Sequence, residues 1–141
     1  MRESQVEKSV RVYLQSKGWN IELDGKKKGE HGCDIVAFHT KWRKRIFIEA
    51  KGDGSNEKYL NQHRHNNFPV IIGQIISRMD KEGNRPNKAR IYGIAVPKTW
   101  ETMIANKAKE MKFSWKWMRL KVFLVSEDGD IEELSHSKFL K

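Results

Sequence analysis

The sequence predicts an α/β fold in which a mixed β-sheet is flanked by helices. Two observations lead to this prediction. Short apolar runs with the alternation of strands follow one another before residue 52, and segments with the apolar spacing of helices stand before and after them. The predicted order is helix, three strands, helix, strand, helix and two strands, all within a single domain over residues 1–141.

The first predicted element is a helix with one apolar stripe, formed by Val6, Val10, Tyr13 and Leu14. Ser4 is placed to cap this helix, with Glu7 three residues later as its capping-box partner. Gly18 is the expected end, since glycine readily adopts the left-handed conformation that follows a helix. Residues 19–23 then alternate as a strand.

A basic loop and a β-hairpin are expected next. Residues 24–33 contain three glycines and are therefore predicted as a loop. Strands are predicted over 34–39 and 45–51, joined by a turn at 41–44. Because the two strands are close in sequence, an antiparallel pairing is the simplest arrangement.

The second half of the chain alternates helices and strands. Residues 52–67 are polar and predict a loop, and Pro69 is placed to start a helix over 70–79. Trp115 and Trp117 alternate around Lys116 and are interpreted as packing or interface residues on a strand edge. The remaining predictions are a loop over 81–88, a buried strand over 91–96, a helix over 100–111, and strands over 120–125 and 131–134 around the turn Asp128-Gly129.

The composition indicates a basic protein of a reducing compartment. A net charge of +10 arises from 28 Lys and Arg against 18 Asp and Glu. This excess favours a polyanionic partner, with solubility as the alternative explanation. The chain has one cysteine, no apolar run long enough for a membrane span and no signal-peptide core, so a cytoplasmic protein without a membrane partner is expected.

The third predicted strand carries charged residues where the rest of it is apolar. One face of the strand is wholly apolar and comprises Ile46, Ile48 and Ala50. Glu49 and Lys51 project from the other face, beside each other at the end of the strand. If the hairpin closes symmetrically, Asp34 at the start of the second strand lies opposite them.

Two carboxylates and an ammonium at one sheet edge suit metal-assisted phosphodiester hydrolysis. Mg²⁺ prefers hard oxygen ligands, and Asp34, Glu49 and the backbone carbonyl of Ala50 would supply them, with Mn²⁺ as an expected substitute. Lys51 would hold the attacking water or neutralise charge in the transition state. The alternative is a salt bridge between Lys51 and one of the acids on a solvated rim.

Asp34, a hairpin and then Glu49-Ala50-Lys51 resemble the signature of the PD-(D/E)XK nuclease superfamily, nearest in pattern to Holliday-junction resolvase-like and Mrr-like nucleases. The predicted element order is similar to the restriction-endonuclease-like core of that superfamily. Cys33 stands where the superfamily name has proline. Residues 97–141 match no part of the pattern.

The resemblance implies two further site residues. The resolvases of this group resemble the opening segment here through Glu7, Val10, Leu14, Gly18 and Trp19, and in them this glutamate reaches the metal. Glu7 is thus an expected metal ligand, with helix capping as the alternative and Glu3 as its competitor one turn earlier. Gln74 is similar to a polar residue that many members carry near the site, with a structural hydrogen bond as the equal alternative.

Two basic segments are expected to bind the DNA backbone: the run Lys26, Lys27 and Lys28, and the turn Lys41, Trp42, Arg43 and Lys44. Trp42 would stack on an unpaired base. Exposed, soluble loops are the alternative. The spacing of Cys33 and the five histidines does not match a zinc site.

The sequence and the resemblance together predict a divalent-metal-dependent DNA endonuclease that is structure-selective or weakly sequence-selective. Cleavage of both strands would call for a homodimer with two-fold symmetry. The alternatives are a non-catalytic basic nucleic-acid-binding module with the same fold, and a protein–protein module whose basic surface serves solubility.

Overall fold

The computed structural model describes residues 1–22, 34–54, 59–82 and 89–141, and six strands form one sheet in the order β1-β2-β3-β4-β5-β6. The strands are β1 (Asn20–Ile21), β2 (Ile35–His39), β3 (Lys44–Ala50), β4 (Arg90–Pro97), β5 (Lys121–Val125) and β6 (Ile131–Leu134). The helices are α1 (Glu3–Ser16), α2 (Leu60–Glu82), α3 (Glu101–Glu110) and α4 (Lys112–Met118), with 3-10 turns at Lys98–Trp100 and His136–Leu140.

The sheet is mixed, and its topology gives it two chemically different edges. β3, β4 and β5 run parallel, whereas β1–β2, β2–β3 and β5–β6 pair antiparallel. The last residues of the three parallel strands therefore meet at one edge, together with Asp34 just before β2. We call this edge, which includes Asp34 and Lys51–Asp53, the carboxyl edge. The opposite edge, which includes the turn 40–43 and the first residues of β3, β4 and β5, is the amino edge.

Two apolar cores lie on the two faces of the sheet. α1 covers one face, where Val6, Val10 and Leu14 pack on Ile35, Ile48 and other strand residues. α2, α3 and α4 cover the other face through Ile71, Ile75, Ile104 and Trp115, among others. Each such buried side chain contributes about 1.5–3 kcal/mol of transfer free energy. The charged residues that stand out from the apolar strands are therefore positioned by packing on both sides.

The predicted fold class is confirmed, and so are the hairpin and the strands that follow it. β2 and β3 pair in the expected antiparallel register, with Ile35 opposite Ile48. Gly18 has a φ of 91° after α1, and Gly129 has a φ of 91° in the final hairpin turn. Within the described ranges, no helix is both long and apolar enough to cross a membrane.

The start of α1 differs from the prediction. The helix begins at Glu3, so Ser4 lies inside it and is not its cap. The Gln5 side chain accepts a hydrogen bond from the Arg2 N–H at 2.8 Å, which satisfies one backbone donor before the helix. The capping-box position is Gln5, so Glu7 is two residues too far along the helix to act as the partner.

α2 is longer than predicted. It begins at Leu60, so the polar stretch before Pro69 is helical and Pro69 is an interior residue of the helix. The prediction of a loop over 52–67 relied on polar composition, which does not register the burial of Phe68 and Ile71 against the sheet. Pro69 itself is exposed, so its ring is not packed in the apolar core.

α4 replaces the predicted strand edge around Trp117. In the helix, Trp115 is fully buried and its Nε1–H donates to the His136 carbonyl at 2.8 Å. Trp117 is 48% exposed. Alternation of tryptophan and lysine over three residues fits a helix boundary as well as a strand, because positions i and i+2 of a helix also lie on different faces.

Candidate active site

The N-terminal side of β2 meets the end of β3 through a hydrogen bond at the carboxyl edge. The backbone N–H of Ala50 donates to Asp34 Oδ2 at 2.8 Å. Arg11 on α1 donates from its guanidinium to the Asp34 carbonyl at 2.7 Å. The Asp34 carboxylate is thus fixed by β3, and its backbone by α1.

Three carboxylates converge at this point. Oxygens of Glu3, Glu7 and Asp34 all lie within 4.8 Å of one another. Glu3 and Glu7 are four residues apart on α1, so they lie on one helix face, and that face points to the sheet edge where Asp34 is held. This group of three is called the acid cluster below.

The surroundings of the acid cluster disfavour the ionised form of Glu7. The pKa of Glu7 is raised to about 7, first by burial and then by the charges of Asp34 and Glu3, against the opposing charge of Arg11. Ionising neighbouring carboxylates costs free energy because their charges repel one another, and a divalent cation that binds between them offsets this repulsion. The donor set, which consists of three hard oxygen ligands, fits Mg²⁺ or Mn²⁺.

Lys51 lies beside the acid cluster. Its Nζ is 3.5 Å from Glu3 Oε1, and its side chain is 21% exposed. Its backbone N–H donates to the Ala95 carbonyl at 3.0 Å, which continues the β3–β4 ladder and fixes the direction of the side chain. The ammonium is therefore held next to the cluster and remains accessible to a substrate.

Glu49 is a buried residue of β3 and is not one of the three residues of the acid cluster. Its side chain is 4% exposed, on the face of β3 that also carries Phe47, which belongs to the core under α2. Among the described residues, the carboxylates that converge are Glu3, Glu7 and Asp34, and Glu49 is not one of them. Its role as a metal ligand, like that of the Ala50 carbonyl, stays a prediction.

A polar network fixes the segment that follows Lys51. Asp53 accepts hydrogen bonds from Arg64 Nε at 2.8 Å and from Trp100 Nε1 at 2.9 Å, and the Met1 amino group lies 3.2 Å away. Although burial opposes the effect, these bonds lower the pKa of Asp53. The network joins β3 to α2 and to the turn after β4, so the backbone at Lys51 is held from three sides.

Other predicted site residues lie elsewhere. Gln74 is exposed on α2, so the argument that a buried amide must find partners does not hold, and a role at the site stays a prediction. The turn with Lys41, Trp42, Arg43 and Lys44 is at the amino edge, about 20 Å of strand away from Asp34. The DNA-binding role expected of this turn stays a prediction, and the turn lies at the other edge from the acid cluster. Lys26, Lys27 and Lys28 lie outside the described residues.

Trp42 has a defined conformation at the amino edge. Its indole stacks on the His39 imidazole with ring centroids 3.8 Å apart, and it is 52% exposed. The backbone N–H of Trp42 donates to His39 Nδ1 at 3.3 Å, and His39 Nε2 lies 3.1 Å from the Lys17 carbonyl oxygen. His39 therefore joins this turn to the end of α1 and is explained without a metal.

Glu3 is the site residue that the sequence did not single out by itself. It entered only as the competitor of Glu7, because one glutamate was expected at the site. The i, i+4 spacing of the two residues is the signal that indicates both, since that spacing places them on one face of any helix that contains them.

The comparisons with known proteins support the fold. No protein-family model and no curated protein sequence matches the chain. Its structure is similar to the crystal structure of an XisH family protein from Nostoc punctiforme, with a TM-score of 0.58 and 20% sequence identity. The alignment covers 91% of this chain and 96% of that one.

At this identity the likeness concerns the fold alone. The six-stranded mixed sheet with four helices is consistent with a restriction-endonuclease-like α/β fold. What Glu3, Glu7, Asp34 and Lys51 do in this chain has to be argued from their own geometry.

Proposed function

We propose that this protein is a divalent-metal-dependent DNA endonuclease of the PD-(D/E)XK type that hydrolyses phosphodiester bonds. The observation that carries the proposal is the convergence of Glu3, Glu7 and Asp34 within 4.8 Å, with the Lys51 ammonium 3.5 Å from Glu3. A basic protein that concentrates carboxylates at one point would repel a phosphate there unless a cation intervenes. A metal-bound phosphodiester resolves this conflict.

The acid cluster would hold the metal. Glu49 and the backbone carbonyl of Ala50, both on β3, are further candidate metal ligands. When bound, Mg²⁺ or Mn²⁺ would polarise the phosphoryl group and lower the pKa of a coordinated water. The backbone N–H of Ala50 holds one oxygen of the Asp34 carboxylate in place, which supports a role for Asp34 as a metal ligand. Glu7 releases its proton more readily once a cation is near, since the repulsion that raises its pKa is then offset.

Lys51 has the clearest role among the residues that do not bind metal. Its ammonium projects from the end of β3 towards the cluster, where it can contact a phosphate oxygen or the attacking water. A fixed positive charge at that point stabilises the negative charge that develops on the phosphorane oxygens. Arg11 has a different role, because its guanidinium donates to the Asp34 carbonyl and positions the backbone at the start of β2.

The net charge of +10 supports DNA as the substrate and a mode of binding that depends on phosphates. We further propose that the protein selects DNA structure, or selects sequence only weakly. Cutting both strands of a duplex would require two copies related by two-fold symmetry.

The test is cleavage of a panel of linear duplex, single-stranded, flap and four-way-junction DNA, with Mg²⁺, with Mn²⁺ and with EDTA. The parent protein is compared with Lys51→Ala and Asp34→Asn. We expect metal-dependent cutting by the parent and a loss of at least about 10²-fold in both variants, since each removes a group that acts on the reacting phosphate.

Lys107→Ala is the matched control, because it removes the same charge from a half-buried lysine on α3 that is paired with the exposed Glu110. Its cleavage rate should equal that of the parent. Salt-sensitive DNA binding without cutting under any metal would contradict the nuclease and leave the non-catalytic binding module. Cutting that Lys51→Ala and Asp34→Asn leave intact would place the activity at another site or in a contaminant.

A further inference from the structure

α4 exposes two large aromatic side chains that no packing explains. Phe113 is 85% exposed and Trp117 is 48% exposed, although the same short helix buries Trp115 and Met118 completely. Phe113 and Trp117 are four residues apart and therefore form one stripe on the helix surface. Leaving a phenylalanine this exposed is unfavourable in water, so a ligand that covers it would gain apolar contact.

A second stripe on α4 is cationic. Lys112 and Lys116 are also four residues apart, and they lie beside the aromatic stripe on the exposed side of the helix. Arg119 follows in the left-handed conformation with a φ of 50° and is exposed. Residues 111–126 contain four Lys or Arg and no Asp or Glu, so no acid from the helix itself neutralises the surface.

Arg119 and Lys121 place positive charge next to α4, and Lys121 shares its charge with Glu133 at 3.5 Å. His136, whose carbonyl binds Trp115, lies in the 3-10 turn packed against the helix. Burial lowers the pKa of the His136 imidazole, and the charges of Arg119 and Lys121 lower it further. An anion is therefore the favoured charge for anything that covers this side of the molecule.

We infer that the surface formed by Lys112, Phe113, Lys116, Trp117 and Arg119 binds single-stranded nucleic acid. Unpaired bases present flat faces that stack on exposed aromatic side chains, and the adjoining phosphates match the adjoining cations. In a duplex the base faces are already stacked, so Phe113 and Trp117 have nothing to contact. We call these five residues the α4 surface.

Other occupants fit the α4 surface less well. A second copy of the chain would bring the same cations face to face, which is repulsive. Two aromatic side chains also supply little of the roughly 800 Å² per partner that stable protein interfaces bury. Nucleic acid needs no such area, because each stacked base and each neutralised phosphate contributes on its own.

The α4 surface is separate from the acid cluster. α4 leads into β5, whose first residue is at the amino edge, whereas the acid cluster is at the carboxyl edge. Together with the proposed function, on which this step rests, the surface narrows the substrate class to DNA that has an unpaired segment, such as a flap, a gap or a branched junction. Binding at the α4 surface by itself does not depend on catalysis.

The test measures binding of the full chain in EDTA, so that no cleavage occurs. The probes are a fluorescent 20-nucleotide oligothymidine and a 20-base-pair duplex. Phe113→Ala with Trp117→Ala should weaken oligothymidine binding by about tenfold or more and duplex binding by less than about twofold. Lys112→Ala with Lys116→Ala should lower the slope of log K against log salt for oligothymidine by about 1.4, which corresponds to two phosphates.

The matched control is Val12→Ser with Val70→Ser, two residues that are 60% and 47% exposed on other helices. It should bind both probes as the parent does. Oligothymidine binding that is unchanged in the aromatic double variant would overturn the proposal. So would a parent dimer that this variant dissociates in sedimentation, since the surface would then be a protein interface. Lys51→Ala should lose DNA cleavage as expected above, yet bind oligothymidine as the parent does. A failure of the α4 surface to bind is therefore distinguishable from a failure of the proposed nuclease activity.

Discussion

At the scale of single residues, the acid cluster arises from the exact phase of α1. Glu3 and Glu7 face Asp34 because the buried stripe of Val6, Val10 and Leu14 fixes the rotation of the helix on the sheet. The sequence predicts that stripe, so the direction of Glu7 was available from it. The capping role assumed for Glu7 was not correct, because the helix begins at Glu3 and helix ends are the least predictable part of a helix.

The raised pKa of Glu7 predicts a pH-dependent stability in the metal-free protein. The folded state binds a proton at Glu7 with a pKa of about 7, against an ordinary value of 4.5. This contribution to stability is complete below pH 4.5 and is lost as the pH rises through about 7. The melting temperature in EDTA should therefore fall over this window, and the fall should be smaller in Glu7→Gln.

Glu110→Gln is the control for that experiment, since Glu110 is in an exposed ion pair on α3. It should keep the pH profile of the parent. Added Mg²⁺ should raise the melting temperature of the parent by a few degrees at pH 7.5 and by less at pH 5, because protons compete with the metal. Equal pH profiles in the parent and in Glu7→Gln would contradict the electrostatic account of the cluster.

Gly52 predicts a second effect of a single residue. A Cβ at this position would lie 2.3 Å from the Glu3 backbone nitrogen and 2.7 Å from the Met1 carbonyl oxygen. Gly52→Ala should therefore displace the start of α1, lower the free energy of unfolding by about 1–3 kcal/mol and reduce the stabilisation by Mg²⁺. Urea unfolding with and without Mg²⁺ measures both effects.

Gly73→Ala is the matched control, because nothing lies within 4 Å of the added methyl group on the exposed side of α2. It should stabilise the protein by about 0.5–1 kcal/mol through helix propensity and leave the Mg²⁺ effect unchanged. If Gly52→Ala is as stable as the parent, the contact between the β3 end and the start of α1 does not exist as described.

At the scale of elements, strands were predicted more accurately than helices. The apolar alternation around Glu49 located β3 and its pairing with β2, because one face of the hairpin must be buried. The prediction misses the part of α2 before Pro69, since its Asn and His residues have modest helix propensity and its stability comes from packing. α4 was missed because seven residues are too few for a helical period to show.

Pro69 gives the element-scale prediction. Inside α2 it has no N–H to donate to the His65 carbonyl four residues earlier, and its ring crowds that carbonyl. Pro69→Ala restores the donor, although it also adds conformational freedom to the unfolded chain. We expect a net stabilisation of about 1 kcal/mol in urea unfolding, with DNA cleavage unchanged. Destabilisation instead would mean that a bend at Pro69 is needed for Phe68 and Ile71 to pack together.

At the scale of the whole molecule, the parallel strands separate the charges. The acid cluster lies at the edge where these strands end, whereas their first residues are basic: Lys44 and Arg45 on β3, Arg90 on β4 and Lys121 on β5. Of these, Arg45 pairs with Glu22 at 2.9 Å and Lys121 with Glu133 at 3.5 Å. Net charge alone predicted a polyanionic partner, but the sequence could not show this division, because it depends on the strand order.

The division of charge predicts that Asp34→Asn changes the affinity for duplex DNA in opposite directions in EDTA and in Mg²⁺. In EDTA the acid cluster repels the DNA backbone, so Asp34→Asn should bind duplex DNA more tightly than the parent, by roughly fivefold for one charge near a phosphate in water. With Mg²⁺ the order should reverse, because the variant has lost a metal ligand and with it the bridge to the phosphate. Fluorescence anisotropy at fixed ionic strength measures both affinities, using Ca²⁺ in place of Mg²⁺ if the parent cuts during the titration.

Glu110→Gln removes the same charge from an exposed position on α3 and should change neither affinity by more than about twofold. If Asp34→Asn weakens binding in EDTA as well, Asp34 supports the DNA-binding surface in some way other than through a metal. The acid cluster would then lose its interpretation as a site that repels DNA until a cation arrives.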